Sequence, residues 1–307
     1  MTTSSLDGSV RQAWPGGEVA LPGGPLHVRR AVRRGAPVAV YVHGLGGAST
    51  NWTDLMWLLA DEVDGHAPDL PGFGWSPPPR SGRYSIGTHV RAVVEYIEHL
   101  GGGPVHLLGN SMGGAISIRL AAERPDLVET LALIAPALPQ YRLRRTTDPR
   151  LGLMLIPGVA GLTMRRSARR PAEQRVDDVL ALCLVDQSTM PAQRRADLVA
   201  EYARRAELGW ADDALMRSMR GLAATYVDPG ERNLWRAAAK VTAPTLLVFG
   251  RGDRLVPVDI AERARRTFRD SRLLVLDDVG HIPQVEAPDV VAAEIRKLWR
   301  GARRAPQ

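Results

Sequence analysis

The chain has 307 residues, 45% of them hydrophobic, with 40 Lys and Arg against 33 Asp and Glu and a formal net charge of +7. That length supports a substantial core with room for an insertion, and the single cysteine, Cys183, excludes an internal disulfide and a multi-cysteine metal site. Lys240 and Lys297 are the only lysines, and the arginines are scattered among Asp and Glu without a nucleic-acid motif, so a solvated basic surface is expected rather than a nucleic-acid partner.

Residues 1–17 are polar and lack the charged start and apolar stretch of a secretory signal; they read as a disordered lead. Residues 151–163 form the longest apolar run, which Pro157-Gly158 breaks well short of a bilayer span. A cytoplasmic protein without integral membrane contact is the expectation. Glu18-Val19-Ala20-Leu21 and Leu26-His27-Val28-Arg29 flank Pro22-Gly23-Gly24-Pro25 as an antiparallel hairpin. Residues 37–42 are continuous and β-branched, as in a buried parallel strand, and end at His43-Gly44-Leu45-Gly46-Gly47. A helix is predicted over 52–61. A short strand over 63–67 leads to Asp69-Leu70-Pro71-Gly72-Phe73-Gly74-Trp75-Ser76. Val90, Val93, Val94, Ile97 and Leu100 mark one face of a helix over 85–100, which Gly101-Gly102-Gly103 stops.

Val105-His106-Leu107-Leu108 then enters Gly109-Asn110-Ser111-Met112-Gly113-Gly114, and a helical pattern over 115–123 leaves it. Strand, sharp turn among small residues, then helix is the context of a nucleophile elbow. Strands over 127–135, 245–249 and 272–276 follow, with helices over 259–268 and 288–300. This alternation predicts an α/β fold: a mostly parallel, doubly wound sheet opened by the antiparallel hairpin. The alternation fails over 136–232, which carries only helical patterns, among them Leu198, Tyr202 and Leu208, and Leu215, Met216, Met219, Leu222 and Tyr226. The expected organisation is a core of residues 18–135 and 233–300, a helical cap over 136–232 on the edge that bears Ser111, and a disordered tail over 301–307.

A serine hydroxyl needs a base, and histidine titrates near neutrality. Of seven histidines, His27, His43, His66, His89, His99 and His106 fall in or beside elements where a structural role suffices, His43 bonding within its glycine turn. His281 lies in Val279-Gly280-His281-Ile282-Pro283, a loop after the last strand, free to reach Ser111. Asp253, at the end of the 245–249 strand, is the expected acid, and Asp277 and Asp278 are its competitors. The order Ser111, Asp253, His281 is that of one known architecture for this constellation. Backbone N–H groups of Leu45 and Met112 are the expected oxyanion donors, with Gly44, Gly46 and Asn110 against the substrate. Glu286 is read as pairing or capping near the last helix rather than reacting, Cys183 as a buried inert thiol, and Asp69 as a turn residue. Met154, Met164, Met190, Met216 and Met219 are read as cap core that could line an acyl pocket, and Arg165, Arg166, Arg169 and Arg170 as a solvated run that could clamp a carboxylate.

His43-Gly44, the Asp69–Ser76 turn, the Gly109–Gly114 elbow, Asp253 and Gly280-His281 together resemble the α/β-hydrolase fold superfamily over roughly residues 18–300. The resemblance implies the serine branch, carboxylesterases and lipases, since the dehalogenase and epoxide-hydrolase branches place aspartate at the elbow. Asn110 before the serine is also similar to meta-cleavage-product hydrolases, which split carbon–carbon bonds, although those usually carry tryptophan where this chain has Ile282. The expectation is a cofactor-free and metal-free esterase acting on a small hydrophobic acyl substrate. Ring-fission C–C hydrolysis and a non-enzymatic binding protein are the alternatives, and oligomeric state is left open.

Overall fold

The computed structural model describes residues 11–140 and 170–302. Eight strands form one sheet: β1 Gly16–Val19, β2 Leu26–Ala31, β3 Val38–Val42, β4 Asp64–Pro68, β5 Val105–Asn110, β6 Val128–Ile134, β7 Thr245–Gly250 and β8 Ser271–Leu276. Their spatial order is β1-β2-β4-β3-β5-β6-β7-β8. The pairings β1–β2 and β2–β4 are antiparallel, and every other neighbour is parallel. The chain leaves β3 toward β4 and β5 toward β6, in opposite directions along the sheet, so a crevice opens beyond their carboxyl ends, where α/β folds bind ligands.

The central strands are apolar on both faces because both are covered. Val40, Val42, Leu107, Leu131, Leu133, Leu247 and Phe249 face one core, with α2 Ile86–His99, α3 Met112–Glu123 and α7 Leu234–Lys240. Ala39, Tyr41, Leu108, Ala132, Ile134, Leu246 and Val248 face the other, with α1 Thr53–Leu59 and α8 Pro288–Ala302. The period of two along each strand sorts its side chains between these layers.

Small differences from the sequence reading have local causes. The helix expected from residue 52 opens as a 3-10 turn at Ser49–Trp52, because the Asn51 side chain accepts from the Ala48 N–H at 3.0 Å and tightens the entry. Helix α7 was not expected. Its signal was Asn233, whose Oδ1 caps the N–H groups of Trp235 and Arg236 at 3.0 and 3.4 Å. Between β6 and β7 the described residues form α4 Ala172–Cys183, α5 Ala192–Glu207 and α6 Ala211–Val227. Val176, Leu180, Leu184 and Tyr202 make a separate small core there, joined by Leu198 and Met190. Met154, Met164, Arg165, Arg166 and Arg169, and the apolar run over 151–163, lie outside the described residues. Arg170 pairs with Asp178. No described helix is long and apolar enough to cross a membrane.

Candidate active site

Ser111 sits between β5 and α3 with φ 54° and ψ −116°, a conformation that costs a non-glycine residue about 1–3 kcal/mol. The surroundings over-determine it. Its N–H donates to the Ile134 carbonyl at 3.1 Å, and its own carbonyl accepts from Ala115 and Ala137 at 3.1 and 3.0 Å. It occupies the N-cap position of α3, yet its side chain makes no capping bond, so the hydroxyl is not consumed by the helix. The glycines around it are steric requirements. A Cβ on Gly113 would collide with the Val42 and His43 carbonyls, one on Gly109 would lie 2.5 Å from the Gly113 carbonyl oxygen, and one on Gly114 would lie 2.8 Å from Pro136. The elbow therefore packs backbone against backbone, which no side chain allows.

His281 and Asp253 meet directly: His281 Nδ1 lies 2.8 Å from Asp253 Oδ2, and both residues are buried. The second carboxylate oxygen accepts from the Leu255 and Val256 N–H groups at 2.7 and 2.9 Å, which fixes the plane of the carboxylate. An acceptor-only carboxylate requires the proton on Nδ1, which leaves Nε2 as the imidazole's free acceptor. Asp277 instead pairs with Arg251 on the surface at 2.7 Å, and Asp278 is exposed.

The loop after β8 folds back over the ends of β7 and β6 to reach the elbow. A Cβ on Gly250, at the end of β7, would strike the Val279 and Gly280 carbonyls. At the far end, Asn110 Nδ2 donates to the Ile134 carbonyl at 3.0 Å and to the His281 carbonyl at 3.1 Å. Asn110 was expected against the substrate. Here it is buried and both amide hydrogens are spent within the protein, so it acts as a strut between the elbow and the histidine loop.

Gly44 to Gly47 form a tight turn, with the Gly47 N–H donating to the Gly44 carbonyl at 3.1 Å and Gly46 at φ 74°. An added Cβ on Gly44 would lie 3.1 Å from Ser111 Cβ, so this turn abuts the elbow. The N–H groups of Leu45 and Met112 donate to no other described residue. Behind the turn, His43 Nδ1 donates to the Gly44 carbonyl at 2.8 Å while Nε2 accepts from the Leu70 N–H at 2.9 Å. Those partners set one neutral tautomer, and burial pushes the His43 pKa down. Asp69 anchors the neighbouring loops, accepting from Ser49 N–H (2.6 Å), Trp75 N–H (2.9 Å) and His27 Nδ1 (2.9 Å). Burial would raise its pKa, but the His27 bond, His43 and the two amides outweigh it and hold the carboxyl below the usual range.

Sequence reasoning did not find how the three helices between β6 and β7 join this site. The His281 N–H donates to the Cys183 carbonyl at 2.7 Å, at the end of α4. Glu286 accepts from the Gly280 N–H at 2.7 Å and the Val185 N–H at 3.0 Å, bridging the histidine loop to the same place. Burial raises the Glu286 pKa and pushes the Cys183 thiol up to about 12, consistent with an unreactive sulfur. Among the described residues, no group of three or more His, Cys, Asp or Glu side chains could hold a metal ion.

The family model for the alpha/beta hydrolase fold matches residues 37–288. The chain is similar to monoacylglycerol lipase abhd6-B of Xenopus laevis, 25% identical over 265 residues that cover 82% of this chain and 72% of that protein. It is similar also to the 2-hydroxy-6-oxononadienedioate/2-hydroxy-6-oxononatrienedioate hydrolase of Pseudomonas sp, 28% identical over 270 residues covering 87% and 88%. Among solved structures, a membrane phospholipase A, described as a bacterial virulence factor, superposes with a TM-score of 0.78 at 26% identity, covering 95% of this chain and 88% of that one.

Proposed function

The chain belongs to the alpha/beta hydrolase fold family, and from that membership we propose that it is a serine hydrolase of carboxylic esters with a hydrophobic acyl part. The observation that carries the reading is the Asp253–His281 pair, whose Nδ1–H contact leaves Nε2 free to act as a base, in a loop that Asn110 ties to the elbow, where the Ser111 side chain makes no capping bond. In this mechanism Ser111 attacks the substrate carbonyl carbon while His281 Nε2 takes its proton, forming a tetrahedral oxyanion. The Leu45 and Met112 N–H groups donate to that oxygen, assisted by the positive end of α3. Collapse breaks the C–O bond, and the imidazolium returns its proton to the departing alcohol. A water then attacks the acyl-enzyme, deprotonated by the same histidine, and releases the acid and Ser111. Helices α4 to α6 form the cap that excludes water and shapes the acyl site.

The lipase and phospholipase relatives support ester chemistry. The dienedioate-hydrolase relative favours a second reading, C–C hydrolysis of a ring-fission product by the same residues. Ile282 at the position after His281, and an Asn110 amide already engaged within the protein, weigh against it. A chain-length series of aryl esters, assayed beside a ring-fission product, separates the two. Ser111→Ala should lower kcat/KM for the preferred ester by about 10⁴-fold or more with an unchanged melting temperature. Fluorophosphonate should label the wild type and not the variant. Undiminished turnover by Ser111→Ala sinks the assignment, and a ring-fission product consumed far faster than any ester transfers it to the second reading.

A further inference from the structure

Helix α5 turns an unusual face to the core. Arg194, Glu201, Arg204 and Arg205 recur at intervals that place them on one side of a helix, and they dock onto the turns and the helix start between β3 and α2 rather than facing solvent. Arg194 pairs with Asp54 at 3.0 Å. Glu201 accepts from Thr50 Oγ1 at 3.1 Å. Arg204 bonds to the Gly74 carbonyl, with its guanidinium 4.0 Å from the centre of the Trp75 ring. Arg205, only 7% exposed, donates from Nη1 to the Gly46 carbonyl at 2.7 Å. Its guanidinium lies 5.0 Å from the Tyr202 ring, so an aromatic wall backs the donor.

Gly46 is the residue after Leu45, at φ 74° in the turn that abuts Ser111. The Leu45 N–H lies on the first peptide of this turn, so its aim depends on where the turn as a whole sits against the elbow. It keeps that aim only while the turn is held in place. The turn supplies one bond of its own, Gly47 N–H to the Gly44 carbonyl. Arg205 supplies a charged donor from outside the turn that ties its Gly46 carbonyl to α5. We propose that Arg205 is a positioning residue that sets the oxyanion turn from the cap, so that the cap contributes to rate as well as to substrate fit. This deepens the serine-hydrolase reading and rests on it. It also assigns the arginine to a protein carbonyl rather than to a substrate carboxylate.

The test uses Arg205→Met, which keeps the aliphatic stem against Tyr202 and removes the donor, and Arg205→Lys, which keeps a donor without the fork. Readouts are kcat and KM on a neutral aryl ester, and affinity for an aliphatic trifluoromethyl ketone, whose adduct with Ser111 places an oxyanion in the hole. Arg205→Met should lose about 10- to 100-fold in kcat, the scale of a misplaced catalytic donor. KM should change by less than about threefold, in keeping with an interaction felt mainly in the transition state. Ketone affinity should fall in parallel with kcat, and Arg205→Lys should recover part of both. If Arg205→Met does not fold, Arg205→Lys carries the test, with both quantities below wild type. Three results overturn the inference: wild-type kcat and ketone affinity in a variant whose melting temperature alone has dropped; a KM increase confined to substrates bearing a carboxylate; and equal losses for the ketone and for a simple alcohol inhibitor. Failure of the wild type itself to bind the ketone or to react with fluorophosphonate removes the hydrolase reading instead.

Discussion

Two regions meet at the candidate site, and they are joined to it by different means. On the sheet edge, Gly109, Gly113, Gly114 and Gly250 let main chain lie against main chain, and the strand register leaves no slack. Across the helices between β6 and β7, the His281 N–H bond to the Cys183 carbonyl is a main-chain contact, but most of the polar tethers come from long side chains: Arg205 to Gly46, Arg204 to Gly74, Arg254 to Ala181 and Glu286 to Val185. The first kind of joint fails when a methyl group is added, and the second when a donor is removed. A core built the first way holds Ser111, His281 and Asp253, the proposed nucleophile, base and acid, in fixed geometry. A proposed cap built the second way can vary its helices while keeping a few polar tethers, as expected where substrate preference resides.

The contrast is sharpened most by changes on the sheet edge. Asp253→Asn leaves the Leu255 and Val256 bonds available to Oδ1 but offers Nδ1–H an amide, which favours the wrong imidazole tautomer. Ester turnover should fall about 10⁴-fold, with Asp278→Asn near wild type. The reverse pattern means that the acid lies elsewhere. Next in size is Gly113→Ala, whose methyl must enter the Val42 and His43 carbonyls on a strand that cannot retreat. It should cost about 3 kcal/mol or more in urea unfolding. Gly221→Ala in α6 tests the other joint, since its Cβ would lie 2.6 Å from the Tyr84 carbonyl and 3.0 Å from Ser85 Cα. There alanine's helix propensity returns up to about 1 kcal/mol against the clash, so the net cost should be about 1 kcal/mol or more below that at residue 113. Equal costs at residues 113 and 221 would make the cap as rigid as the core and break the comparison.

The same division decides what could be read from the sequence. The parallel strands announce themselves as apolar runs because both faces are buried, and the elbow as small residues at fixed intervals because each has a steric cause. His281 could be singled out because its loop follows a strand, and Asp253 for the same reason. Asn110 was legible as unusual but not in its role, because its bond to the His281 carbonyl spans 171 residues. Arg205 was invisible: one arginine among many on an amphipathic helix reads as solvated, and nothing local records that a carbonyl 159 residues away will need a donor. Glu286 was read as pairing or capping near the last helix, and it does accept the nearby Gly280 amide, but nothing local announced its second partner, the Val185 amide 101 residues away. Steric demands leave a mark at the residue that bears them, and long-range polar demands leave none.

Two buried carboxylates carry the comparison to its smallest expected effects. Asp69, on the core side, has three donors, and its pKa is held low; Glu201, on α5, accepts from Thr50 alone, Oε1 is buried without a partner, and burial raises its pKa against the pull of Arg205. A lowered folded-state pKa contributes stability that is present above the unfolded value and is lost as pH falls through the folded one. A raised value works the other way, with stability present in acid and lost as pH rises through the folded pKa. Asp69→Asn should therefore cost more than about 2 kcal/mol at pH 7, with the deficit shrinking in acid. Glu201→Gln keeps an acceptor for Thr50 and removes the buried charge. Its melting temperature should exceed that of the wild type by a few degrees at pH 8, and the gain should vanish as pH falls from the raised folded pKa to the ordinary glutamate value. Melting curves across pH give both signs at once. A Glu201→Gln variant that is less stable than wild type at pH 8 would mean that Arg205 pairs with Glu201 strongly enough to outweigh burial. The cap would then be held by an ion pair rather than by donors to the core's carbonyls.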